Sequence, residues 1–377
     1  MDKLITLENL VEIDGTNKEG GGQILRSALG LSVLTGRPFI IKNIRAGRPN
    51  PGLKNQHLSC IKACAEISNA RTKGAKIAST ELMFVPEVIK NRNLEIDIKS
   101  AGSTSLLFQS ILLPFIFTNS EIKVIGGTDV KWSIPLDYFK EIIKPMLMQF
   151  CNIDINFEKR GFYPKGNGIS FMKTKAKIKI NDFDNFNKFH DFIFGKNKVN
   201  LNTHGSLMHI KSICYASKNL QEKEVAEKIG KTAELILKQK TSVNTIYNYS
   251  ETDSPGCGIV CYAIYNTSNE EITNYRIGSD KLGEKGIKPE EIGQECAENL
   301  IKMIEENIIV DNHMQDNLIP ILGLFGGKFK TGKITSHTLS NINVCEQFLP
   351  VKYKIEEVIE KDNHGIISNI ISVNMYK

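Results

Sequence analysis

Apolar positions along this chain recur with two different periods, one helical and one extended. Between 24 and 34 they fall at helical spacing, which predicts a helix that begins at a glycine-rich turn. Short apolar runs at 11–14 and 39–44 predict a strand on each side of that helix. A second helix is predicted over 55–70, with Gly- and Pro-rich turns between the elements. The opening of the chain is therefore predicted to fold as a β-α-β-α unit.

The same order of elements returns further along the chain. A glycine-rich turn, helix, strand, glycine pair, proline-containing loop and helix occur over 20–70 and again over 102–151. A looser third copy is predicted from a helix over 289–308 and the apolar run 316–324. Repeated α/β units stack around shared cores and leave their turns on one side. The predicted fold class is therefore α/β (α+β), with a large domain of repeated βαβα-type units.

The composition changes in the middle of the chain, where an Asn-, Lys- and Phe-rich stretch precedes strand and helix patterns with periods of their own. We interpret 184–275 as a smaller inserted α+β domain, which interrupts a large domain made of 1–183 and 276–377. The elements predicted within the insertion are strands over 206–215, 244–249 and 258–265 and a helix over 222–238.

The bulk composition is that of an ordinary globular protein with two or three structural units. Of 377 residues, 41% are hydrophobic and 24% charged, and 48 basic residues face 42 acidic ones for a net charge of +6. Between 20 and 65, however, there are seven Lys or Arg side chains and no Asp or Glu. A block of one sign favours an anionic partner, with phosphate the first candidate. The alternative is a solvated basic face.

The sequence indicates neither a zinc site nor a membrane segment. The eight cysteines include no Cys-x-x-Cys pair, so buried free thiols in a reducing cytoplasm are favoured over a metal site. No signal peptide opens the chain, and the longest apolar run, 106–117, is interrupted by Gln109, Ser110 and Pro114. These features predict a cytoplasmic protein.

One histidine stands at a predicted loop-to-helix junction. His337 lies within the hydroxyl- and amide-rich run 336–341, after a Gly- and Lys-rich turn and before a short helix predicted to end at 348. A histidine there can be a base, a metal ligand, a nucleophile or a packed ring. Taken alone, the packed ring is the commonest outcome, so the rest of the chain has to decide.

The glycine-rich turn over 15–23 exposes backbone N–H groups at a helix N-terminus, which suits a phosphate. It lacks the Gly-Lys-Ser/Thr ending of a Walker loop and the Gly-x-Gly-x-x-Gly spacing of dinucleotide folds. Glu19 within the turn can hold a divalent ion, or it can simply favour the helix dipole.

Several separated motifs, taken together and in order, resemble one family. They lie at 14–27, 44–58, 100–109 and 336–342, with smaller matches at 160–164 and 282–286. The set resembles the RNA 3'-terminal phosphate cyclases. This resemblance implies a large domain akin to the enolpyruvyl transferases and an inserted domain like the C-terminal domain of translation initiation factor three. It also implies that ATP and a divalent metal (Mg or Mn) convert an RNA 3'-phosphate into a 2',3'-cyclic phosphate.

By this resemblance, His337 takes AMP from ATP and passes it to the RNA 3'-phosphate, after which the 2'-hydroxyl closes the ring. Neutral imidazole, with a reference pKa of about 6.5, is a competent nucleophile, and its phosphoramidate divides one difficult displacement into easier ones. Glu19 matches the acidic residue of the ATP and metal site. The residues expected to contact ATP are Gln109, His313, Met314, Gln315, Asp316, Asn317, Phe84 and Pro135. Those expected to bind RNA are Arg26, Arg45, Arg48, Gln56 and His57.

Two positions depart from the family pattern, and several have structural alternatives. Asn317 stands where the family has Gln, which shortens the reach of the amide, and Lys18 stands where it has Gly. Gln109 can be a polar residue on an exposed helix face, and Asp316 can be an N-cap. Phe84 can belong to the core, and the arginines can form surface ion pairs.

Two competing interpretations belong to other functional classes. A catalytically inactive cyclase-like RNA-binding protein of ribosome biogenesis would share the fold, but such relatives lack the nucleophilic histidine that His337 matches. An enolpyruvyl transferase would explain the phosphate-binding turns but not the histidine motif. The sequence therefore favours a cyclase with RNA as its partner, and no pattern in it predicts an oligomeric state.

Overall fold

The computed structural model describes residues 9–16, 21–266, 275–359 and 367–376. Within those residues the strands form four four-stranded sheets. All four sheets join two parallel strands to an antiparallel pair, but only three of them share the strand order first-second-fourth-third. We call the parts of the chain that form these three sheets, with their helices, units 1, 2 and 3. The fourth sheet belongs to the inserted unit.

Unit 1 has the sheet order β1-β2-β4-β3, with β1 and β2 parallel. Its elements are β1 (Val11–Asp14), α1 (Gly22–Thr35), β2 (Phe39–Lys42), α2 (Asn55–Ser68), β3 (Arg71–Lys73) and β4 (Leu82–Val85). Helix α1 ends at Gly36, whose φ of 69° is the left-handed conformation that stops a helix.

Unit 2 repeats this arrangement with the sheet order β5-β6-β8-β7. Its strands and first helix are β5 (Asn93–Asp97), α3 (Thr104–Ile116), β6 (Glu121–Gly126), β7 (Cys151–Lys159) and β8 (Gly168–Ala176). Its second helical segment consists of α4 (Leu136–Tyr138), a π-helical turn (Phe139–Ile143) and α5 (Lys144–Leu147). A 3-10 turn (Ile180–Asp182) and α6 (Phe186–Ile193) then lead to β9 (Val199–Leu201).

The inserted unit follows β9 and forms the sheet β11-β10-β12-β13. Its elements are β10 (Leu207–Ser217), a 3-10 turn (Lys218–Leu220), α7 (Val225–Leu237), β11 (Val243–Ser250), β12 (Cys257–Tyr265), β13 (Tyr275–Leu282) and α8 (Pro289–Glu305). Because β13 and α8 complete this sheet and its helical layer, we propose 207–305 as its boundaries in place of the predicted 184–275.

Unit 3 is divided by the insertion, since β9 pairs with a strand that comes after it. The later elements are α9 (Asn312–Phe325), β14 (Gly327–Thr331), α10 (Ser336–Phe348), β15 (Val351–Ile359) and β16 (Ile367–Met375), in the sheet order β15-β16-β14-β9. The predicted third copy was therefore wrong in its first helix. Helix α8 packs on α7 and the inserted sheet, because helical spacing alone does not say which sheet a helix covers.

Helices of all three units meet around α1, which packs against α2, α3 and α10. Every residue of α1 from 24 to 34 is buried, so this helix is surrounded on all sides. At Gly30 an added Cβ would lie 2.9 Å from the Ser110 carbonyl oxygen, so α1 and α3 come close enough to exclude a side chain. The predicted mixed α/β fold of repeated units is confirmed.

Two further observations concern the whole set of described residues. All eight cysteines are free thiols, and only Cys257 is partly exposed. No helix in the described part of the chain has the length and apolarity needed to cross a membrane.

Candidate active site

His337 lies in the first turn of α10, where it is half-buried. The helix begins at Thr335, whose hydroxyl oxygen accepts the Thr338 N–H at 2.9 Å. Both threonine hydroxyls donate to the Asp316 carboxylate of α9, each at 2.6 Å. The turn that carries His337 is therefore fixed to the neighbouring helix by a carboxylate.

Asp316 has an unusual electrostatic environment for a carboxylate. Burial raises its pKa, while hydrogen bonds from Thr335 and Thr338 and the charge of His337 lower it. The predicted alternative of an N-cap was wrong, because α9 is capped by Asp311, which accepts the N–H groups of His313 and Met314. Asp316 is instead a mid-helix side chain directed at the start of α10.

Asn341, one helical turn after His337, joins three helices. Its amide oxygen accepts from Ser27 at 2.6 Å and from Gln23 at 3.1 Å, both on α1. Its amide nitrogen donates to the Asp316 carbonyl oxygen at 2.8 Å. Sequence reasoning included Asn341 in the histidine motif but gave it no role. The available signal was its helical spacing from His337.

Two of the predicted ATP residues meet directly. The Gln109 amide nitrogen donates to the Asn317 side-chain oxygen at 3.1 Å, although the two residues are far apart in sequence. Asn317 in turn donates to the His313 carbonyl oxygen at 2.7 Å. The Gln109 side-chain oxygen is buried and, within the described part of the chain, has no hydrogen-bond partner. A buried acceptor left in this way is a position where a ligand donor is favoured.

The predicted ATP segment 313–317 divides into inward and outward side chains. Met314 and Gln315 are buried, and the Gln315 side-chain oxygen lies 3.0 Å from the Thr338 hydroxyl oxygen, while its amide nitrogen donates to the Lys333 carbonyl oxygen. Their assignment as direct ATP contacts is therefore corrected, since both side chains are occupied in packing. His313 remains exposed and pairs with Asp280 of β13 at 3.0 Å. Neighbouring atoms partly desolvate the His313 ring, which opposes its protonation. The Asp280 carboxylate outweighs this effect and raises the pKa of the imidazole.

Two further residues expected to contact ATP, Phe84 and Pro135, are both buried. Phe84 is completely buried and its ring stacks on Phe39 at 5.7 Å, so the structural alternative of a core residue is the correct one. Pro135 is also buried, at the start of the helical segment of unit 2. It precedes Tyr138, whose ring meets that of His313 edge-on at 5.2 Å. Pro135 therefore borders the site but offers little open surface.

The predicted RNA residues centre on His57, which is buried in the first turn of α2. Its Nδ1 accepts the Lys54 N–H at 3.0 Å, which places the proton of the neutral ring on Nε2. Burial, with the charges of Arg26, Arg45 and Lys54, lowers the pKa of His57 to about 3. An added Cβ at Gly22 would lie 2.5 Å from His57 Nε2, so the glycine leaves this N–H room.

Arg26 and Gln56 complete the group around His57. Arg26 is buried, and its Nε has no hydrogen-bond partner among the residues that the structure describes, although Nη2 donates to Gln23. The Gln56 amide nitrogen donates to the Ser103 carbonyl oxygen at 3.0 Å. Arg45 is turned onto its own loop, where it donates to the carbonyl oxygens of Asn50 and Gly52.

Three predicted ATP residues, Gln109, Asp316 and Asn317, and one predicted RNA residue, Arg26, line one narrow cavity of about 30 Å³. Its walls come from α1, α3, α9 and α10, so helices of all three units contribute. Lining side chains that carry polar groups are Gln23, Arg26, Ser27, Gln109, Asp316, Asn317 and Asn341. The structure therefore brings together residues that the sequence placed in two separate binding sets.

Comparison with known proteins identifies the family. A model of the RNA 3'-terminal phosphate cyclase family matches residues 17–355. This chain belongs to that family. It is 38% identical over 372 residues to the RNA 3'-terminal phosphate cyclase of Staphylothermus marinus, covering 95% of this chain and 97% of that protein.

Other cyclases are equally similar. The match to the RNA 3'-terminal phosphate cyclase of Thermococcus gammatolerans is 38% identical over 352 residues, covering 92% of this chain and 94% of that protein. That to the cyclase of Saccharolobus solfataricus is 38% over 351 residues, covering 92% and 96%. The cyclase family, rather than the enolpyruvyl transferases, is therefore the correct assignment.

In this member of the cyclase family, a larger cavity of about 390 Å³ lies on the other side of the α9 N-terminus. It separates α8 and β13 of the inserted unit from unit 3. Charged or titratable groups that line it are Asp280, Lys302, Glu306, Asp311, His313 and Lys333. His313 is thus the residue at which the cavity meets the predicted ATP segment.

The predicted metal ligand, Glu19, lies outside the described residues, as does Lys18. Among the residues that the structure describes, no group of three or more His, Cys, Asp or Glu side chains is placed to hold a metal ion. The described site therefore offers hydrogen-bond donors and acceptors for a nucleotide, but no metal cluster of its own.

Proposed function

We propose that this chain uses ATP to convert RNA 3'-phosphate ends into 2',3'-cyclic phosphates, with AMP carried on His337. The chain belongs to a family whose similar members are named RNA 3'-terminal phosphate cyclases. The observation that carries the proposal is the position of His337. Its helical turn is fixed by Asp316 to the Gln109–Asn317 pair, and by Asn341 to Gln23 and Ser27 of α1.

The reaction requires activation of a poor electrophile. A ring nitrogen of His337 attacks the α-phosphorus of ATP, and pyrophosphate leaves. An oxygen of the RNA 3'-phosphate then attacks the AMP phosphorus and releases the imidazole. Finally the 2'-hydroxyl attacks the activated terminal phosphate, AMP leaves, and the hydroxyl proton passes to solvent. Each displacement has a better leaving group than the direct cyclisation of a phosphate monoester.

For ATP, the chain supplies an amide pair and one buried acceptor. The buried side-chain oxygen of Gln109, which has no partner among the described residues, can accept a hydrogen bond from a ribose hydroxyl or an adenine amino group. A cavity of about 30 Å³ does not enclose a nucleotide, so we place the base and ribose over its mouth, towards Pro135 and the exposed His313. The start of α10 also directs backbone N–H groups towards a phosphate near His337.

For RNA, the chain supplies neutral and charged donors side by side. The Nε2–H of neutral His57 and the Nη1 group of Arg26 both lie next to Gly22 and can donate to a terminal phosphate. Recognition of an end rather than a sequence needs few base contacts. A divalent metal, which Glu19 is expected to hold by family resemblance, would neutralise phosphate charge when bound.

The test is transfer of label from α-labelled ATP to the protein. We expect the wild type to retain acid-labile label, and His337→Ala to retain none and to produce no cyclic ends. A matched control is His209→Ala, since His209 is a partly exposed histidine of the inserted unit. Substantial RNA cyclisation by the His337 variant would disprove the mechanism.

A further inference from the structure

The only tryptophan of this chain stands in the solvent. Trp132 is 93% exposed, in the loop between β6 and the helical segment of unit 2. Its φ of 61° lies in the left-handed region, which is costly for a bulky side chain. A large apolar ring held outward at such a cost is typical of a contact surface.

The loop that carries Trp132 is anchored at both ends. The Leu136 N–H donates to the Thr128 carbonyl oxygen, and the Ser105 hydroxyl donates to the Ile134 carbonyl oxygen at 2.7 Å. Next to Thr128, the buried Asp129 carboxylate pairs with the buried guanidinium of Arg160. Because the backbone is already ordered, a ligand that binds the ring causes little loss of conformational entropy.

A second exposed aromatic lies on the adjoining loop. Tyr163 is 76% exposed and follows Gly161, which exchanges two hydrogen bonds of 2.9 Å with Thr128. The loop of Tyr163 also touches the turn at 99–103, since Gly166 packs against Ser100 and Ala101. Each of these loops carries an exposed lysine. They are Lys99, Lys131 and Lys165, of which Lys131 pairs with Glu284.

This surface is continuous with the proposed RNA end site. Gln56 donates to the Ser103 carbonyl oxygen, and the next residue, Thr104, donates its N–H to Gly127 at 2.8 Å. Residues 103 and 104 therefore connect the Gln56–His57 group to the start of the loop that carries Trp132. The topology agrees, because this loop is the unit 2 counterpart of the unit 1 loop that carries Arg45 and of the turn before His337.

We propose that Trp132, with Tyr163 beside it, stacks on bases of the single-stranded RNA just upstream of the 3' end, while Lys99 and Lys165 lie beside its phosphates. The inference rests on the proposed function, because it places the RNA terminus at His57. Aromatic stacking on bases is tolerant of sequence, which suits an enzyme that recognises an end.

The first test uses Trp132 as its own reporter, since no other tryptophan contributes emission. A twelve-nucleotide RNA with a 3'-phosphate is titrated without ATP, and binding is followed in parallel by anisotropy of a 5' dye. We expect saturable quenching of tryptophan emission with the same Kd. In a series of RNAs that each carry one abasic site near the 3' end, the quenching should be lost when that site is at one or two particular positions. Unchanged emission at saturating RNA, or quenching by ATP alone, would overturn the proposal.

The second test separates this inference from the proposed function. Trp132→Ala should raise the KM for the twelve-nucleotide RNA about tenfold, with kcat and labelling by ATP unchanged. Its KM for a dinucleotide 3'-phosphate should be unchanged, and Trp132→Phe should restore the KM for the longer RNA. Tyr376→Ala, at a half-exposed ring next to β16, is the control. Absence of cyclisation by the wild type would refute the proposed function, whereas a wild-type KM in Trp132→Ala would refute only the stacking surface.

Discussion

Two histidines occupy nearly equivalent places in this fold and have different surroundings. His57 lies in the first turn of α2 and His337 in the first turn of α10, the second helices of units 1 and 3. His57 is buried among cations, and its Nδ1 is taken by its own helix start. His337 is half-buried and lies close to the Asp316 carboxylate.

This difference shows that a position in a repeated fold does not determine a chemical role. Burial, together with the neighbouring cations, keeps His57 neutral, so it is suited to donate one hydrogen bond to a phosphate without competing as a base. The Asp316 carboxylate instead holds the turn that carries His337, through the hydroxyls of Thr335 and Thr338, and we propose that this positions the imidazole for attack on phosphorus. We therefore propose an RNA-binding role for the first histidine and a covalent role for the second.

Replacement of His57 is the strongest test of this division. In His57→Gln the donor to the terminal phosphate is displaced, and the loss of one hydrogen bond to a charged group lowers kcat/KM for RNA by about 100-fold. Labelling of the protein by ATP should continue at the wild-type rate. Loss of labelling in a folded His57→Gln protein would show that the two histidines act in one step.

Replacement of Asp316 tests the proposed covalent role of His337. Asp316→Asn keeps one acceptor for Thr335 and Thr338 but removes the charge next to His337. We expect the rate of labelling by ATP to fall about tenfold, as for the loss of one charge-assisted interaction, with RNA affinity unchanged. Stopped reactions with α-labelled ATP measure the rate. An unchanged rate would remove Asp316 from the covalent step.

Asn341→Ala tests the link between α10, which carries His337, and the neighbouring helices α1 and α9. The buried amide makes three hydrogen bonds to α1 and α9, so its loss should destabilise the protein by about 3 kcal/mol. Asn343→Ala is the control, since Asn343 is exposed on the same helix. Urea unfolding measures both. Equal effects of the two substitutions would contradict the proposed link.

A further expected effect concerns pH. The pKa of His57 is lowered to about 3, so between pH 6.5 and 3 the unfolded chain binds a proton that the folded chain does not. Stability therefore falls as pH falls, by about 2 kcal/mol between pH 7 and 5 from this group. The difference in unfolding free energy between wild type and His57→Gln should change by that amount. A difference independent of pH would show that His57 is not held neutral.

The helices and strands were more predictable from the sequence than the contacts that assemble the site. Glycine-rich turns and apolar spacing predicted the starts of α1 and α3, because these signals are local. The assembly of unit 3 was not predictable, since β9 pairs with β14 across the whole insertion. Burial of Phe84 in its strand was one of two alternatives that alternation could not separate.

Roles that depend on tertiary contacts were also beyond the sequence. Asp280 lies in the inserted unit, and only the contact of β13 with the start of α9 brings it to His313. Asn341 was visible in its motif, but its partners Gln23 and Ser27 are on the first helix of the chain. Motif reading therefore found the residues of the site more readily than the connections between them.

The most direct measurement is the location of the label after incubation with α-labelled ATP, in wild type and in the two histidine variants. The account predicts that the AMP is recovered on the peptide that contains His337, that His57→Gln is labelled as fully as wild type, and that His337→Ala carries none. Recovery of AMP on any other residue, or undiminished labelling of His337→Ala, would contradict it.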